Sequence, residues 1–377
     1  MTSIVVVGGG LVGLSAAWHL RRADPVARVT VLERAVTGAG ASGASAAGVR
    51  AMGRDPAERA MALASLARWP ELDRELEGST GYRRGGGLRV AESEAEHAQA
   101  HADVVAQRAD GVPVAVVDAR QVREIAPELA PAVVGGVHCA IDGQADAPAT
   151  VQAFTVAARR LGVRIDEGVA VASILTERGR VCGVALSDGA RVPCDVVIVA
   201  AGAWTSTLLA SVGVRVPLTA RGLQMLLTDP GPQSLMPVVS RVAGQLSLKQ
   251  LADGAYLIGG GWPGDIPGDS ASRGRVIDDS VSASFSLARS VYTPLQRRAV
   301  AQSWVGIEAF TPDGLPILGP VPGIEGLLVA AGFSGHGFAL APTVGDILGR
   351  LALGHDPLSH LWKELAVRDM SGSSGGD

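Results

Sequence analysis

The stretch IVVVGGGLVG at residues 4–13 decides the fold. A short apolar run at 4–7 leads straight into glycines, a helical pattern follows over 11–23, and a second strand pattern spans 28–33. Glu33 ends that second strand, 20 residues after Gly13. A strand, a helix and a strand in this order predict the opening unit of a parallel sheet.

The glycines of this G-x-G-x-x-G pattern answer distinct physical needs. Gly8 permits a tight turn, Gly10 lets the backbone approach a pyrophosphate, and Gly13 lets the helix pack closely on the strand. The helix N-terminus attracts negative charge, and Glu33 is placed to accept hydrogen bonds from ribose hydroxyls. The pattern predicts a dinucleotide site but does not separate NAD from FAD. The predicted contact residues are Gly8, Gly10, Leu11, Val12, Gly13 and Glu33.

The bulk composition argues against several classes of protein. The chain is 47% hydrophobic and 19% charged with a formal net charge of −4, so no nucleic-acid partner is expected. Cys139, Cys182 and Cys194 are odd in number and lack a CxxC spacing, so we predict no disulfide framework, no metal site and a cytoplasmic location. No apolar run reaches the roughly 18 residues of a transmembrane helix.

The length of 377 residues favours two domains. We predict an α/β protein with a discontinuous, Rossmann-like dinucleotide-binding domain and a second α+β substrate domain built on an antiparallel sheet. The apolar Val196–Val199 indicates a buried parallel strand of the first domain. The predicted ranges are 1–81, 146–216 and 311–370 for the first domain, 82–145 and 217–310 for the second, and 371–377 for a flexible tail.

Five separated segments together resemble one known family. They are G-x-G-x-x-G with Glu33-Arg34, the small-residue loop 40–50, AAGAW at 200–204, TPDGLPILG at 311–319 and GFSGHGF at 332–338. From Ile4 to about Leu365 the sequence resembles the DAO family of FAD-dependent oxidoreductases, the group of D-amino-acid, glycine and sarcosine oxidases. This resemblance implies FAD as the cofactor and a FAD-binding domain of the glutathione-reductase type.

The resemblance also implies individual cofactor contacts. Arg34 would lie along the adenine, to which Val171 would offer its backbone, and Ser42, Ala47 and Gly48 would sit at the pyrophosphate and flavin edge. Gly202 and Trp204 would close over the cofactor, with Ala201 beside them. A turn would present N–H groups to the flavin's pyrimidine oxygen, and its implied contact residues are Gly332, Gly335, Gly337 and Phe338.

The reaction implied is hydride transfer from the carbon that bears the substrate nitrogen to flavin N5, which leaves an imine. The substrate would be a small amine or amino acid, and the electrons would pass to oxygen or another acceptor. The alternative is a FAD-binding beta-type subunit of a multi-subunit amine dehydrogenase that needs a partner chain. A homo-oligomer and a partner subunit both stay open.

Several positions depart from the family pattern. Glu308 stands where many relatives carry an arginine for the substrate carboxylate, and it could pair with a substrate ammonium, pair with an arginine, or be a structural acid. Ala339 and Leu257, or a neighbour of Leu257, replace two lysines of monomeric sarcosine oxidases, the second of which helps to activate oxygen. Gly306 replaces a flavin-linking cysteine, so FAD is expected to be non-covalent.

Arg50 and His336 join Glu308 as the candidate catalytic residues. Arg50 ends the small-residue loop, where some secondary-amine dehydrogenases of the group carry an arginine, and this resemblance implies that it could grip a substrate carboxylate, for which arginine is the natural bidentate partner. It could instead be a surface or cofactor-facing arginine. His336 lies between two glycines of the GFSGHGF turn, and an ordinary packed histidine is the alternative for it.

Overall fold

The computed structural model describes residues 1–268 and 273–368. The predicted flexible tail, 371–377, lies outside these residues.

The described residues form twenty strands and ten α-helices. The strands are β1 (Ser3–Val7), β2 (Arg28–Glu33), β3 (Gly48–Val49), β4 (Gly87–Ala91), β5 (Val114–Asp118), β6 (Gly135–Cys139), β7 (Gly143–Gln144), β8 (Arg164–Glu167), β9 (Val171–Glu177), β10 (Arg180–Leu186), β11 (Arg191–Pro193), β12 (Val196–Val199), β13 (Thr219–Thr228), β14 (Val238–Arg241), β15 (Ser247–Gln250), β16 (Tyr256–Gly259), β17 (Pro263–Gly264), β18 (Val300–Phe310), β19 (Ile317–Pro320) and β20 (Leu327–Ala331). The helices are α1 (Leu11–Ala23), α2 (Ala41–Ala44), α3 (Pro56–Arg68), α4 (Leu72–Leu76), α5 (Glu94–Ala109), α6 (Ala119–Ile125), α7 (Ala147–Arg160), α8 (Thr205–Ala210), α9 (Asp278–Val291) and α10 (Gly337–Ala352).

The first large sheet has six strands among the described residues, in the order β19-β20-β12-β1-β2-β8. Its pairs are parallel except for β19 with β20. The opening β1-α1-β2 unit and the parallel strand β12 are as predicted. The confirmed fold class is therefore α/β, with a Rossmann-like sheet opened by the glycine pattern.

Apolar residues cover this sheet on both faces. Ile4 and Val6 of β1 point into a core with α1, α7 and α10, whereas Val5 and Val7 point into a second core with α8 and the three-stranded sheet β11-β10-β9. The alternation follows from the two-residue period of a strand. Helices on one face of the six-stranded sheet and a small antiparallel sheet on the other bury β1. This burial fixes the position of the glycine turn that follows the strand.

The second large sheet has nine strands among the described residues. It runs β17-β13-β16-β15-β14-β4-β6-β5, with β18 paired to β13. This sheet is antiparallel as predicted, except that β4 and β14 pair in parallel. β4 belongs to the part of the chain at 82–145 and β14 to the part at 217–310. The two strands are therefore not joined directly by a turn and can pair in parallel.

The two large sheets draw their strands from different parts of the chain, with β4–β6 and β13–β18 in the second sheet. We keep the division into a cofactor domain and a substrate domain, with the ranges given above, as a proposal. None of the helices in the described ranges is both long and apolar enough to cross a membrane.

Candidate functional site

A cavity of about 930 Å³ runs between the two large sheets. Its size is at the upper end of the range for ligand pockets in proteins, which suits a large, elongated ligand. It is lined by the glycine turn after β1, the end of β2, the loop around α2, the start of β9, the segment after β12, three residues of β18 and the turn before α10. Predicted cofactor residues on this wall are Gly8, Gly10, Val12, Glu33, Arg34, Ser42, Val171, Ala201, Gly202, Trp204, Gly332, Gly335, Gly337 and Phe338.

The glycine turn brings backbone close to the cavity because no side chain intervenes. Gly8 has a φ of +111°, and a Cβ there would lie 2.4 Å from the Ala200 carbonyl oxygen. A Cβ on Gly13 would lie 2.1 Å from the Gly8 carbonyl oxygen, so Gly13 allows α1 to pack against the turn. Gly10 caps α1 without a side-chain hydrogen bond. The N-terminus of α1 therefore faces the cavity with backbone donors that suit a phosphate.

Glu33 lies at the end of β2 and on the cavity wall. Its carboxylate accepts hydrogen bonds from the backbone N–H of Gly9 at 2.7 Å and of Ala35 at 2.9 Å. A carboxylate has about four acceptor sites, so capacity remains for the hydroxyls of a ribose. The two backbone bonds fix the orientation of the acid.

Arg34 and Trp204 come together although 170 residues separate them in the chain. The Arg34 guanidinium lies over the Trp204 ring, 3.5 Å from its centroid. This cation–π pair keeps a flat, positively charged surface on the cavity wall. Such a surface suits the adenine end of a dinucleotide.

The turn at 332–338 forms the other end of the cavity. Gly332 and Gly335 have positive φ values of +69° and +89°, and a Cβ on Gly332 would lie 2.5 Å from Thr311. The turn leads into α10, whose first residue, Gly337, is on the wall. The positive end of a long helix thus faces this end of the cavity.

Glu308, in β18, lies on the same wall as the turn. Burial raises the pKa of its carboxyl to about 7, and the backbone amide of Gly335 opposes this effect because it stabilises the charged form. Arg221 is the residue opposite Glu308 on β13, but its guanidinium lies over the Phe310 ring. Among the described residues, Glu308 has no ion-pair partner within 4.0 Å.

The His336 side chain contacts Glu58, a buried acid behind the turn at 332–338. Its Nδ1 lies 2.9 Å from a carboxylate oxygen of Glu58, and Glu58 in α3 is fully buried. Burial and the nearby Arg54 lower the pKa of His336, while Glu58 opposes both effects. Burial and the neighbouring Arg50 lower the pKa of Arg54 to about 10. The hydrogen bond to Glu58 sets the orientation of the His336 ring.

Arg50 lies beside Asp142 and Arg54. Burial lowers its pKa, and the Asp142 carboxylate opposes this effect. Asp142 accepts a hydrogen bond from the Ala51 N–H at 2.8 Å, which fixes the end of the small-residue loop. Arg50 therefore sits in a polar cluster next to the His336 turn.

Six predicted residues do not line the cavity. Leu11 and Gly13 lie inside the α1 packing, Ala47 is fully buried, and Gly48 pairs with Gln144 in a two-stranded ribbon. Arg50 and His336 belong to the polar cluster. Their predicted roles remain proposals.

The structure also shows functional candidates that the sequence analysis missed. Arg273 and Ile307 line the same cavity as Glu308. Ile307 could have been found from its place beside Glu308 in an apolar strand, whereas Arg273 lies in an irregular loop with no motif. Lys249 is buried opposite Leu257, and its Nζ donates to the Ala145 carbonyl at 2.7 Å. Burial lowers the pKa of Lys249 to about 7.

Neither Ala339 nor a cysteine adds a reactive group to the cavity. Ala339 is buried, and its carbonyl accepts from Ser65 Oγ and from Trp69 Nε1, which ties α10 to α3 and the segment after it. Cys139, Cys182 and Cys194 are not among the lining residues. Within the described residues there is no group of three or more His, Cys, Asp or Glu side chains that could hold a metal ion.

Comparisons with known proteins agree with this geometry. The chain is 28% identical over 370 residues to the glycine oxidase of Pseudomonas putida, which covers 94% of this chain and 95% of that protein. It is 24% identical to the sarcosine oxidase subunit beta of Rhodobacter capsulatus, over 99% of this chain and 91% of that protein. The crystal structure of glycine oxidase from Geobacillus kaustophilus superposes with a TM-score of 0.89 at 25% identity, over 98% of this chain and 100% of that one.

The family model described as FAD dependent oxidoreductase matches residues 3–351. The glycine cradle, the fixed Glu33 acid and the size of the cavity fit FAD. The predicted family and cofactor are thereby confirmed. The chain belongs to the DAO family of FAD-dependent oxidoreductases.

Proposed function

We propose that this enzyme oxidises the C–N bond of a small amine or amino acid to an imine, with FAD held non-covalently in the cavity. The observation that carries the proposal is the continuity of the cavity. One space connects the nucleotide-binding elements at Gly8 and Glu33 with Glu308 on the second sheet. A cofactor and a small substrate could therefore meet in it.

The relatives support the C–N part of the proposal by their names. Glycine and sarcosine are small amino acids, and the proteins similar to this chain are called glycine oxidase and sarcosine oxidase subunit beta. Bound FAD supplies a hydride acceptor for the carbon next to nitrogen. The protein has to bind the amine, orient its C–H bond and exclude water.

The contacts of β18 with the α2 loop support non-covalent binding. Gly306 faces this loop, and a Cβ on it would lie 2.8 Å from the Ala44 Cβ. Gly306 has no side chain to link to a flavin, and the three cysteines lie elsewhere. Denaturing the protein in acid and separating it by filtration should release all of the yellow colour, whereas retained colour would indicate a covalent link.

The substrate carboxylate, where the substrate has one, has two candidate partners. Arg50 is our proposed partner from the sequence, and it lies in the polar cluster with Arg54. Arg273 is the second, because it lines the cavity together with Glu308. The two sites lie on different elements, so single substitutions can separate them.

The proposal is tested by anaerobic reduction of the bound FAD. Glycine, sarcosine, D-amino acids, proline derivatives and simple amines are mixed with the protein in turn, and the loss of flavin absorbance is followed. We expect at least one of them to bleach the flavin. Oxygen is then admitted, and rapid return of the colour identifies an oxidase, whereas slow return identifies a dehydrogenase. A panel without any bleaching would contradict the proposed function.

The second candidate function is a FAD-binding subunit of a larger amine dehydrogenase. The similarity to sarcosine oxidase subunit beta over nearly the whole chain favours it. Size-exclusion chromatography of the protein from its native source separates the two functions. Activity that elutes only with a second chain supports the subunit, and activity in the peak of this chain alone supports the self-sufficient enzyme.

A further inference from the structure

Glu308 lies on β18 in the wall of the cavity, and its carboxylate is next to Gly335 of the turn at 332–338. Its neighbours on β18, Ile307 and Ala309, are buried and apolar, and both line the cavity. Two charged residues are placed to face it: Arg221, its strand partner on β13, whose guanidinium lies over Phe310, and Arg273, which lines the same cavity. Among the described residues none of these forms an ion pair with the Glu308 carboxylate.

A substrate amine arrives mostly as an ammonium ion at neutral pH. A hydride leaves the adjacent carbon readily only when the nitrogen has a free electron pair to form the C=N bond. One proton must therefore leave the nitrogen before or during oxidation. A positioned carboxylate within hydrogen-bond reach is a suitable acceptor.

We propose that Glu308 binds the substrate ammonium and accepts its proton, so that the chain selects amines presented with the nitrogen toward β18. This inference rests on the proposed function. In the step, an N–H bond breaks and an O–H bond forms, and the electron pair of the N–H bond stays on nitrogen. The carboxylate and ammonium become a carboxylic acid and a neutral amine, with no change in net charge. FAD, when bound, would supply the hydride acceptor, and Glu308 returns its proton to water when the product leaves.

The surroundings of Glu308 favour this proton transfer. An apolar wall disfavours a pair of opposite charges relative to the neutral pair, because both ions lose their hydration. Burial brings the pKa of Glu308 to about 7, closer to that of an amine than an exposed glutamate would be. The same acid repels a carboxylate, so the carboxylate of an amino acid has to point away from β18.

The first test compares wild-type holoenzyme with Glu308→Gln, using an amine that reduces the wild-type flavin. Anaerobic reduction rates are measured across pH. We expect the wild-type rate to rise with pH through about 7, because only ionised Glu308 accepts a proton. At pH 7 the variant should be slower by about 100-fold or more, the usual contribution of a general base. Its rate should recover toward the pKa of the free amine, where the substrate arrives unprotonated.

The second test measures binding alone. Tetramethylammonium carries a positive charge but no N–H proton, and calorimetry gives its affinity for the holoenzyme. Affinity should increase with pH through about 7 in the wild type and be independent of pH in Glu308→Gln. Glu308→Asp retains an acid one methylene shorter and should keep a pH-dependent affinity. Gln302→Ala, an exposed position on the same strand, is the control for damage to β18.

Each outcome decides the proposal. Equal pH profiles for wild type and Glu308→Gln would overturn it while leaving the proposed function intact. If Glu308→Gln binds tetramethylammonium more weakly but keeps the wild-type pH profile of flavin reduction, Glu308 is only a counter-ion for the substrate. That result would also overturn the proposal. If no amine reduces the wild-type flavin, the proposed function itself fails and this inference fails with it.

Discussion

At the scale of single residues, Glu308 is both a functional candidate and a source of instability. Its pKa of about 7 lies above the usual value of 4.5, so the folded protein holds a proton that the unfolded chain has lost between these two pH values. Stability therefore falls as pH rises through this window. The acid is retained at a position where a neutral side chain would be more stable.

Replacing Glu308 by glutamine should stabilise the protein at pH 8 and leave stability unchanged at pH 4, where the acid is protonated in both states. A shift of one pKa unit corresponds to about 1.4 kcal/mol, so a pKa raised from 4.5 to about 7 limits the gain to between about 3 and 4 kcal/mol. Urea unfolding of the apoprotein at the two pH values measures it. An equal gain in stability at both pH values would show that the effect does not come from the charge of Glu308.

Arg50 and Arg273 give a second residue-scale prediction. Arg50→Ala should raise KM for carboxylate substrates and leave FAD bound, because bidentate recognition of the carboxylate is lost. Arg273→Ala is the matched variant on the cavity wall. Steady-state kinetics with an amino acid and with an amine that lacks a carboxylate separate the two. An unchanged KM in Arg50→Ala removes Arg50 from the substrate site.

Among elements, the β1-α1-β2 unit depends on contact between the helix and the turn. A Cβ on Gly13 would lie 2.1 Å from the Gly8 carbonyl oxygen, whereas a Cβ on Gly40 has nothing within 4 Å. Gly13→Ala should therefore displace α1 and destabilise the protein by about 1–3 kcal/mol, with a clear loss of FAD affinity. Gly40→Ala, in the loop of the same cavity, should change both far less. Thermal melts and titration of apoprotein with FAD measure the two effects, and equal behaviour would contradict the packing argument.

The link between α3 and the start of α10 is a second element-scale feature. Glu58 is fully buried and binds His336, with Arg54 nearby. Glu58→Ala leaves these two groups without their acid, and loss of one partner from a buried pair costs about 3–5 kcal/mol. We expect a lower urea midpoint and weaker FAD binding. Exposed Glu177→Ala on β9 is the control, and a variant as stable as this control would show that the link carries little energy.

Local elements were predictable where sequence pattern and burial agree. The bounds of β1, α1 and β2 follow from apolar runs, glycines and a 3.6-residue period, and Asp146, a residue type that favours the N-cap position, caps α7 by accepting the Ala149 N–H. Strands β14 and β15 carry no clear signal in the sequence, because each has only four residues and becomes a strand through distant partners. Arg273 likewise has no motif, since only the folded chain brings it to the cavity that Glu308 also lines.

For the whole molecule, our proposal puts FAD in the cavity between the two large sheets, and FAD should therefore stabilise both. A ligand that binds only the folded state adds about 4 kcal/mol at a thousand times its Kd. The apoprotein should thus melt at a lower temperature than the holoenzyme, and the melting temperature should rise steadily with added FAD. Calorimetry across FAD concentrations measures this. Two separate transitions, of which only one responds to FAD, would show that the sheets unfold independently.

Trp304 in β18 donates a hydrogen bond from Nε1 to the Ala44 carbonyl at 3.0 Å, and this bond joins the two walls of the cavity. We expect this bond to affect how long FAD stays bound more than how tightly it binds. A cofactor bound between two joined walls should dissociate more slowly than one between walls that can separate freely, so its residence time should depend on this bond. A phenylalanine at position 304 would keep the packing but lose the bond, and the flavin should then exchange faster with free FAD in solution.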